Sequence, residues 1–259
     1  MIPTLTERSL ESLIVAHLTE RESYELGRSE EFDRDFCLDL GRLKAFLCAS
    51  QAKLVEDSGI LRSEIAWRKF CERVQSEVTK RGVVDVLRKG ISHSSNHFAL
   101  YMPLPSALSE QGEADYRQNK FAVVRQLHYS KRDPHKSVDL MLSINGLPVL
   151  TMELKNKLTK QSTAHAVAQY RSARDPKELL FIPGRCAVHF ALDDETVEMC
   201  TQLRGRDSWF LPFNKGCDGG AGNPVRVGGV RTAYLWEEIL TKRSLSDILE
   251  HFAQSVQEG

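Results

Sequence analysis

The sequence predicts an α/β fold in which a mainly helical N-terminal region, residues 1–95, leads into a strand-rich region with closing helices, residues 96–259. Two patterns carry this reading. Apolar residues recur at helical spacing through the first ninety positions, and thereafter they alternate or run continuously in short segments bounded by turn-forming residues. The helix that opens at Thr6 is read from Leu10, Leu13, Ile14 and Leu18, with a threonine start and early acids suited to its N-terminus. Leu43, Phe46 and Leu47 give a second helix over 42–52, and Ile65, Phe70 and Val74 a third over 64–80. Strands are expected at 97–102, 121–129, 138–144, 149–154, 186–192 and 197–201, with one helix between them at 161–172. The glycine-rich stretch 216–224 reads as a flexible loop.

At 259 residues and 41% apolar, the chain is long enough for one large domain, or one domain with a helical annex. Its six cysteines, at 37, 48, 71, 186, 200 and 217, form no Cys-x-x-Cys pair and no zinc-finger spacing, which points to a reducing compartment and to no zinc site. The first residues lack the basic and apolar regions of a secretory signal. No apolar run approaches the ~18 residues of a membrane span. A soluble, cytoplasmic protein is the expectation.

Net charge is zero on 35 basic and 35 acidic residues, but the charges are unevenly placed. Between 116 and 177 there are twelve Lys and Arg against four acids, and the flanking segments are each acidic by four. Two of the four acids in this basic centre, Asp139 and Glu153, sit inside apolar strands. That combination suits a phosphate-tracking surface around a metal site. A surface of ordinary solvated charges is the alternative.

The motif that carries chemistry is Asp139, Glu153 and Lys155. Glu153 and Lys155 alternate with Leu150, Met152 and Leu154, so both leave one face of a strand whose other face is apolar. Two carboxylates offer hard oxygens to Mg²⁺, and an ammonium can orient a water or offset phosphate charge, which is what metal-dependent phosphodiester hydrolysis needs. The spacing is that of the PD-(D/E)xK nuclease motif, with Val138 in the place of the proline. A solvated sheet face accounts for an isolated Glu-x-Lys, but only in part for charges set between two apolar strands. The hairpin also imposes a register. A plain two-residue Asn145-Gly146 turn pairs Val138 with Glu153 and puts Asp139 on the wrong face, so the site requires an odd-length loop or a bulge.

Other chemistries find no support. The sequence contains no Gly-x4-Gly-Lys-Ser/Thr phosphate loop, no Gly-x-Ser-x-Gly elbow and no His-Glu-x-x-His helix.

Longer strings extend the three-residue motif. Phe121-Ala-Val-Val-Arg-Gln-Leu-His-Tyr129, Asn145-Gly-Leu-Pro148, Glu153-Leu-Lys-Asn156, Gln169-Tyr-Arg, Arg174-Asp-Pro, Phe210-Leu-Pro-Phe-Asn-Lys-Gly216 and Tyr234-Leu-Trp-Glu-Glu make the chain resemble the N-terminal part of the type I restriction enzyme R subunit. The resemblance implies a restriction-endonuclease-like mixed sheet flanked by helices that cleaves double-stranded DNA with Mg²⁺. It implies that ATP-driven motor domains lie outside this segment, in keeping with the missing phosphate loop, and that methyltransferase and specificity subunits are partners. By the family's pattern, Asp139 and Glu153 become metal-binding acids and Lys155 the motif lysine. Gln169 becomes the helical glutamine, and Glu11 matches an acid that related nucleases carry on their first helix. The tyrosine that usually follows that glutamine by four positions is absent, since residue 173 is alanine. The backbone carbonyl of Leu154 is the expected further metal ligand, Lys157 and Lys160 are expected DNA contacts, and Arg125, which alternates within an apolar strand, is expected either to contact phosphate or to pair with a carboxylate of the core. A non-catalytic docking module and a free-standing nuclease are the competing readings.

Overall fold

The computed structural model of the chain describes residues 7–106, 109–156 and 161–253. Helices α1 (Glu7–Glu20), α2 (Leu40–Ser50), α3 (Ala52–Ser58), α4 (Glu64–Arg81) and α5 (Val83–Lys89) dominate the first part, with α6 (Glu110–Tyr116), α7 (Thr163–Ala173) and α8 (Lys242–Asp247) further on. The strands are β1 (Glu25–Gly27), β2 (Phe32–Asp33), β3 (Leu38–Asp39), β4 (Ile91–His93), β5 (Asn96–Phe98), β6 (Phe121–His128), β7 (Ser137–Ile144), β8 (Leu147–Leu154), β9 (Val188–Leu192), β10 (Val197–Cys200) and β11 (Leu211–Pro212). Seven of them form one mixed sheet in the order β1-β6-β7-β8-β9-β10-β11. Within it β1 runs parallel to β6 and β9 parallel to β8, the second pair joined across α7, while the other neighbours are antiparallel.

Local chemistry sets the helix ends. Asp39 caps α2 by accepting from the Arg42 N–H, and Ser63 caps α4 by accepting from the Ala66 N–H. Helix α4 carries Glu64 in its first turn and Lys80 and Arg81 in its last, and stops at Gly82. Its buried stripe of Trp67, Phe70, Cys71, Val74 and Val78 joins Leu10, Ile14 and Leu18 of α1 in the larger core. That core covers one face of the sheet through Leu140, Leu142, Leu150, Met152 and Leu154. The opposite face packs Met141 and Ala191 against Ala166, Val167 and Tyr170 of α7 in a smaller core.

The hairpin β7–β8 satisfies the register requirement by an unexpected combination. Ile144 pairs with Leu147 and Ser143 with Pro148, which makes Asn145-Gly146 a two-residue turn, but between Leu142 and Ser143 the register shifts and Leu142 pairs with Leu150. Val149 is therefore the extra residue of a bulge, beside a proline that has no N–H to give to a ladder. The shift carries on to Leu140 opposite Met152, so the next positions, Asp139 and Glu153, face each other.

Both turn residues have positive φ, Asn145 at 52° and Gly146 at 83°, as a primed hairpin turn requires. The Gly146 backbone also packs against the start of α2: its carbonyl accepts from the Asp39 N–H at 2.9 Å, and a Cβ at Gly146 would lie 2.2 Å from the Asp39 oxygen. Asn145 is fully buried. Its amide donates to the Leu100 carbonyl and to Asn119, and its side-chain oxygen accepts from the Lys120 N–H.

Several expected elements differ. The strand over 97–102 shrinks to β5, which pairs only with β4, because past Phe98 the chain turns its carbonyls to other partners, that of Leu100 to Asn145. Leu13 is 43% exposed, although its spacing placed it on the buried stripe of the first helix. Strand β1 was not expected, since Glu-Leu-Gly shows no alternation. The loop 216–224 is pinned at one end by buried Asn223, which bonds Glu195, Asn214 and Lys215. Thr6 lies outside the described residues. Among the described residues no helix is long and apolar enough to cross a membrane.

Gly146→Ala should lower stability by about 2–3 kcal/mol, from backbone strain plus the clash with Asp39. Gly219→Ala, at φ 75° with nothing within 4 Å, should cost only the strain. Chemical denaturation of both variants checks this, and equal losses would show that contact with α2 does not constrain the turn.

Candidate active site

At the open end of the hairpin, Asp139 and Glu153 are drawn together by the register just described. Asp139 is half-buried, and its Oδ2 accepts from the Leu154 N–H at 2.7 Å. Its Oδ1 accepts from the Gln126 amide at 3.3 Å. Glu153 is fully buried. The Arg174 guanidinium grips its Oε1 through Nε at 2.7 Å and Nη2 at 2.6 Å, while Oε2 is buried without a hydrogen-bond partner among the described residues. Arg174 is itself buried, follows α7 directly, and stacks over the Tyr129 ring.

Burial, reinforced by the negative charge of Asp139, pushes the Glu153 carboxyl up to about 8; Arg174 and Lys155 pull the other way without cancelling that shift. An unpaired buried oxygen on such a carboxyl favours an incoming cation. Lys155 follows β8 directly, donates its N–H to the Leu192 carbonyl, and lies close enough to Glu153 to act on its charge.

Glu11 reaches the same place from α1. It is buried, with Oε1 accepting from Arg125 and Oε2 from the Gln126 amide at 3.0 Å. One amide thus links Glu11 to Asp139. Of the two roles expected of Arg125, pairing with a carboxylate is the one seen: it pairs with Glu11 and donates to Ser12, because the start of α1 lies over its strand. Lys120 and Lys131 of the same basic segment pair with Glu25 and Asp35. Part of the charge asymmetry along the sequence is therefore consumed by pairing across the fold. Lys157 and Lys160 lie outside the described residues.

Gln169 is not brought to the site. The face of α7 that meets the sheet is Thr163, Ala166, Val167 and Tyr170, which leaves Gln169 half-buried on the flank with no side-chain hydrogen bond to a described residue. Tyr170 takes the inward position, its hydroxyl bonded to Thr151 at 2.8 Å, and Thr151 is bonded to His189 Nδ1 at 2.7 Å. The helical period could have identified Tyr170. No spacing rule points to Arg174, twenty-one residues beyond Glu153, or to Gln126.

Among the described residues no three Asp, Glu, His or Cys side chains stand together as a metal cluster. The donors present are two carboxylates, one with an unpaired buried oxygen, beside the backbone of Leu154. That set suits Mg²⁺, which is commonly held by one or two carboxylates and completed by water and phosphate oxygens.

The mixed sheet with helices on both faces defines a restriction-endonuclease-like α/β protein. Residues 64–208, more than half of the chain, match the family described as type I restriction enzyme R protein N terminus, and the chain belongs to that family. The matched stretch includes Gln126, Asp139, Glu153, Lys155 and Arg174; Glu11 precedes it. No curated protein matches the chain.

Two outcomes follow from this geometry. Arg174→Ala strands Glu153 in the interior and should cost on the order of 3–5 kcal/mol, whereas Arg174→Met combined with Glu153→Leu should recover most of that loss. Equilibrium unfolding decides, and a single-variant loss below about 1 kcal/mol would mean that the pair does not hold this end of the sheet. The second concerns His189, which burial lowers to about 3. The unfolded chain takes up this proton below about 6.5, so the stability contributed by the neutral ring above that pH is lost as pH falls toward 3, by up to about 1.4 kcal/mol per unit. His189→Asn should flatten the acid limb of a stability profile; an unchanged limb would contradict this.

Proposed function

We propose that this chain is the Mg²⁺-dependent nuclease part of a type I restriction enzyme R protein, and that it cleaves double-stranded DNA without reading local sequence. One observation carries the reading: the bulge sets Asp139 opposite Glu153, whose buried Oε2 has no hydrogen-bond partner among the described residues.

Asp139, Glu153 and the carbonyl of Leu154 would hold the ion. Bound there, Mg²⁺ would supply an activated water and offset charge on the scissile phosphate. The protein's own part is orientation. The Leu154 N–H fixes the Asp139 carboxylate, and Arg174 holds Glu153 by one oxygen so that the other is the one presented. The Lys155 ammonium orients the attacking water or takes its proton, and offsets charge on the phosphate. Nothing in this arrangement reads a base edge, so recognition is assigned to specificity and methyltransferase subunits of the complex, and ATP-driven translocation to other parts of the R protein.

In the assembled complex, Asp139→Asn and Lys155→Ala should each lower DNA cleavage by roughly a hundred- to a thousandfold, about 2.7–4 kcal/mol, while ATP hydrolysis continues. Lys155→Ala should change stability by about 1 kcal/mol or less. Mg²⁺ should raise the melting temperature of the unaltered chain and not that of Asp139→Asn, and chelation should abolish cleavage. Cleavage near the unaltered rate in both variants would remove the catalytic assignment. Loss of ATP hydrolysis in a folded complex would make these residues part of the coupling to the motor.

A further inference from the structure

Gln126 combines three features that strand propensity does not explain. It lies inside β6 yet has φ 45°, in the left-handed region that a non-glycine residue rarely occupies. It stands opposite Asp139, at the one position where the β6–β7 pairing is interrupted: Arg125 pairs with Leu140 and Leu127 with Val138, with the same register on both sides. Its side chain is used completely. The amide nitrogen donates to Glu11 Oε2 at 3.0 Å and to Asp139 Oδ1 at 3.3 Å, and the amide oxygen accepts from the Ser137 hydroxyl at 3.3 Å.

Extended backbone at this position would restore the ladder and confine the side chain to the face it shares with Asp139. The unusual φ is what lets one amide reach Glu11 on a helix and Asp139 on the neighbouring strand together. Uncommon backbone of this kind persists only where the surroundings over-determine it, and it concentrates at functional sites. The unpartnered buried Oε2 of Glu153, opposite Asp139, is an independent sign that a ligand belongs here.

We propose that Gln126 is a positioning residue: it holds Asp139 by the oxygen that Leu154 does not hold and locks it to Glu11, so that the divalent-cation site is formed before the cation arrives. This rests on the nuclease reading above. With both oxygens of Asp139 restrained, the carboxylate has little freedom left to lose on binding, which favours affinity. The amide also places a donor between two carboxylates that would otherwise repel.

The test compares Gln126→Gly, Gln126→Ala and Gln126→Glu in the full chain by thermal melting and Mg²⁺ titration calorimetry, and in the assembled complex by DNA cleavage. Glycine adopts the positive φ freely whereas alanine retains the strain, so Gln126→Gly should melt above Gln126→Ala. Both should bind Mg²⁺ about tenfold more weakly than the unaltered chain, an effect that a purely structural amide would not produce. Gln126→Glu keeps the length but loses the donor and adds a third negative charge, and should remain folded while cleavage falls at least tenfold. Unaltered Mg²⁺ affinity and cleavage in Gln126→Gly, or in Gln126→Glu should the glycine variant not fold, would overturn the proposal. Asp139→Asn, run alongside, separates the two claims. If it lowers Mg²⁺ affinity while the Gln126 variants do not, only the positioning role fails; if it too binds and cleaves normally, the nuclease reading fails and this one with it.

Discussion

The constraint on which the site depends is the register of β7 against β8. Side chains on paired strands share a face only at one parity, and the Asn145-Gly146 turn by itself sets the wrong one. The bulge at Val149 corrects it, and Asp139 then faces Glu153 four positions beyond the bulge. Strand β8 is buried along its whole length, between β7 and β9, so a one-residue slip would turn Leu150, Met152 and Leu154 out of the larger core and drive Glu153 into it. The hydrophobic pattern and the acid pair thus enforce the same register, and neither can move without the other.

How the second acid is kept inside the protein is a separate problem. A carboxylate that deep is costly, and its partner Arg174 is nearly as buried. The pair does not satisfy Glu153 completely: one oxygen receives both guanidinium contacts, and the other receives none. For stability alone this is a poor arrangement, since an apolar pair of similar volume would do as well or better. It is intelligible if the unpaired oxygen is reserved for a ligand.

Much of this was legible in the sequence. The helices over 42–52 and 64–80 and the central strands follow from apolar spacing, and the Asp139, Glu153, Lys155 constellation from alternation within strands. The need for a bulge or an odd loop followed from parity, but which of the two, and that it sits at Val149 beside Pro148, depends on how the turn docks on α2. What could not be read is tertiary. Arg125 is open to a carboxylate partner from its place in an apolar strand, but which carboxylate is fixed only by the fold, since Glu11 lies on a helix more than a hundred residues away. Gln169 rests on position in a motif alone, whereas the residue that α7 turns toward the sheet is its neighbour Tyr170. Gln126 gave no signal, because a positive φ in a non-glycine residue has no sequence signature.

The two ends of the β7–β8 hairpin are built on opposite terms. At the turn both ends of the Asn145 side-chain amide have partners, Gly146 seats on the cap of α2, and nearby Arg42 binds Asp39. At the other end, roughly 20 Å away along six or seven residues of strand, stand a carboxyl with a raised pKa and one oxygen without a hydrogen-bond partner among the described residues, and a left-handed glutamine. A stiff strand pair anchored at its turn adds its rigidity to what Arg174, the Leu154 N–H and Gln126 supply at the open end. The satisfied contacts at the turn therefore offset the unsatisfied ones at the acids, and the under-satisfied end can hold its geometry because the hairpin is fixed elsewhere.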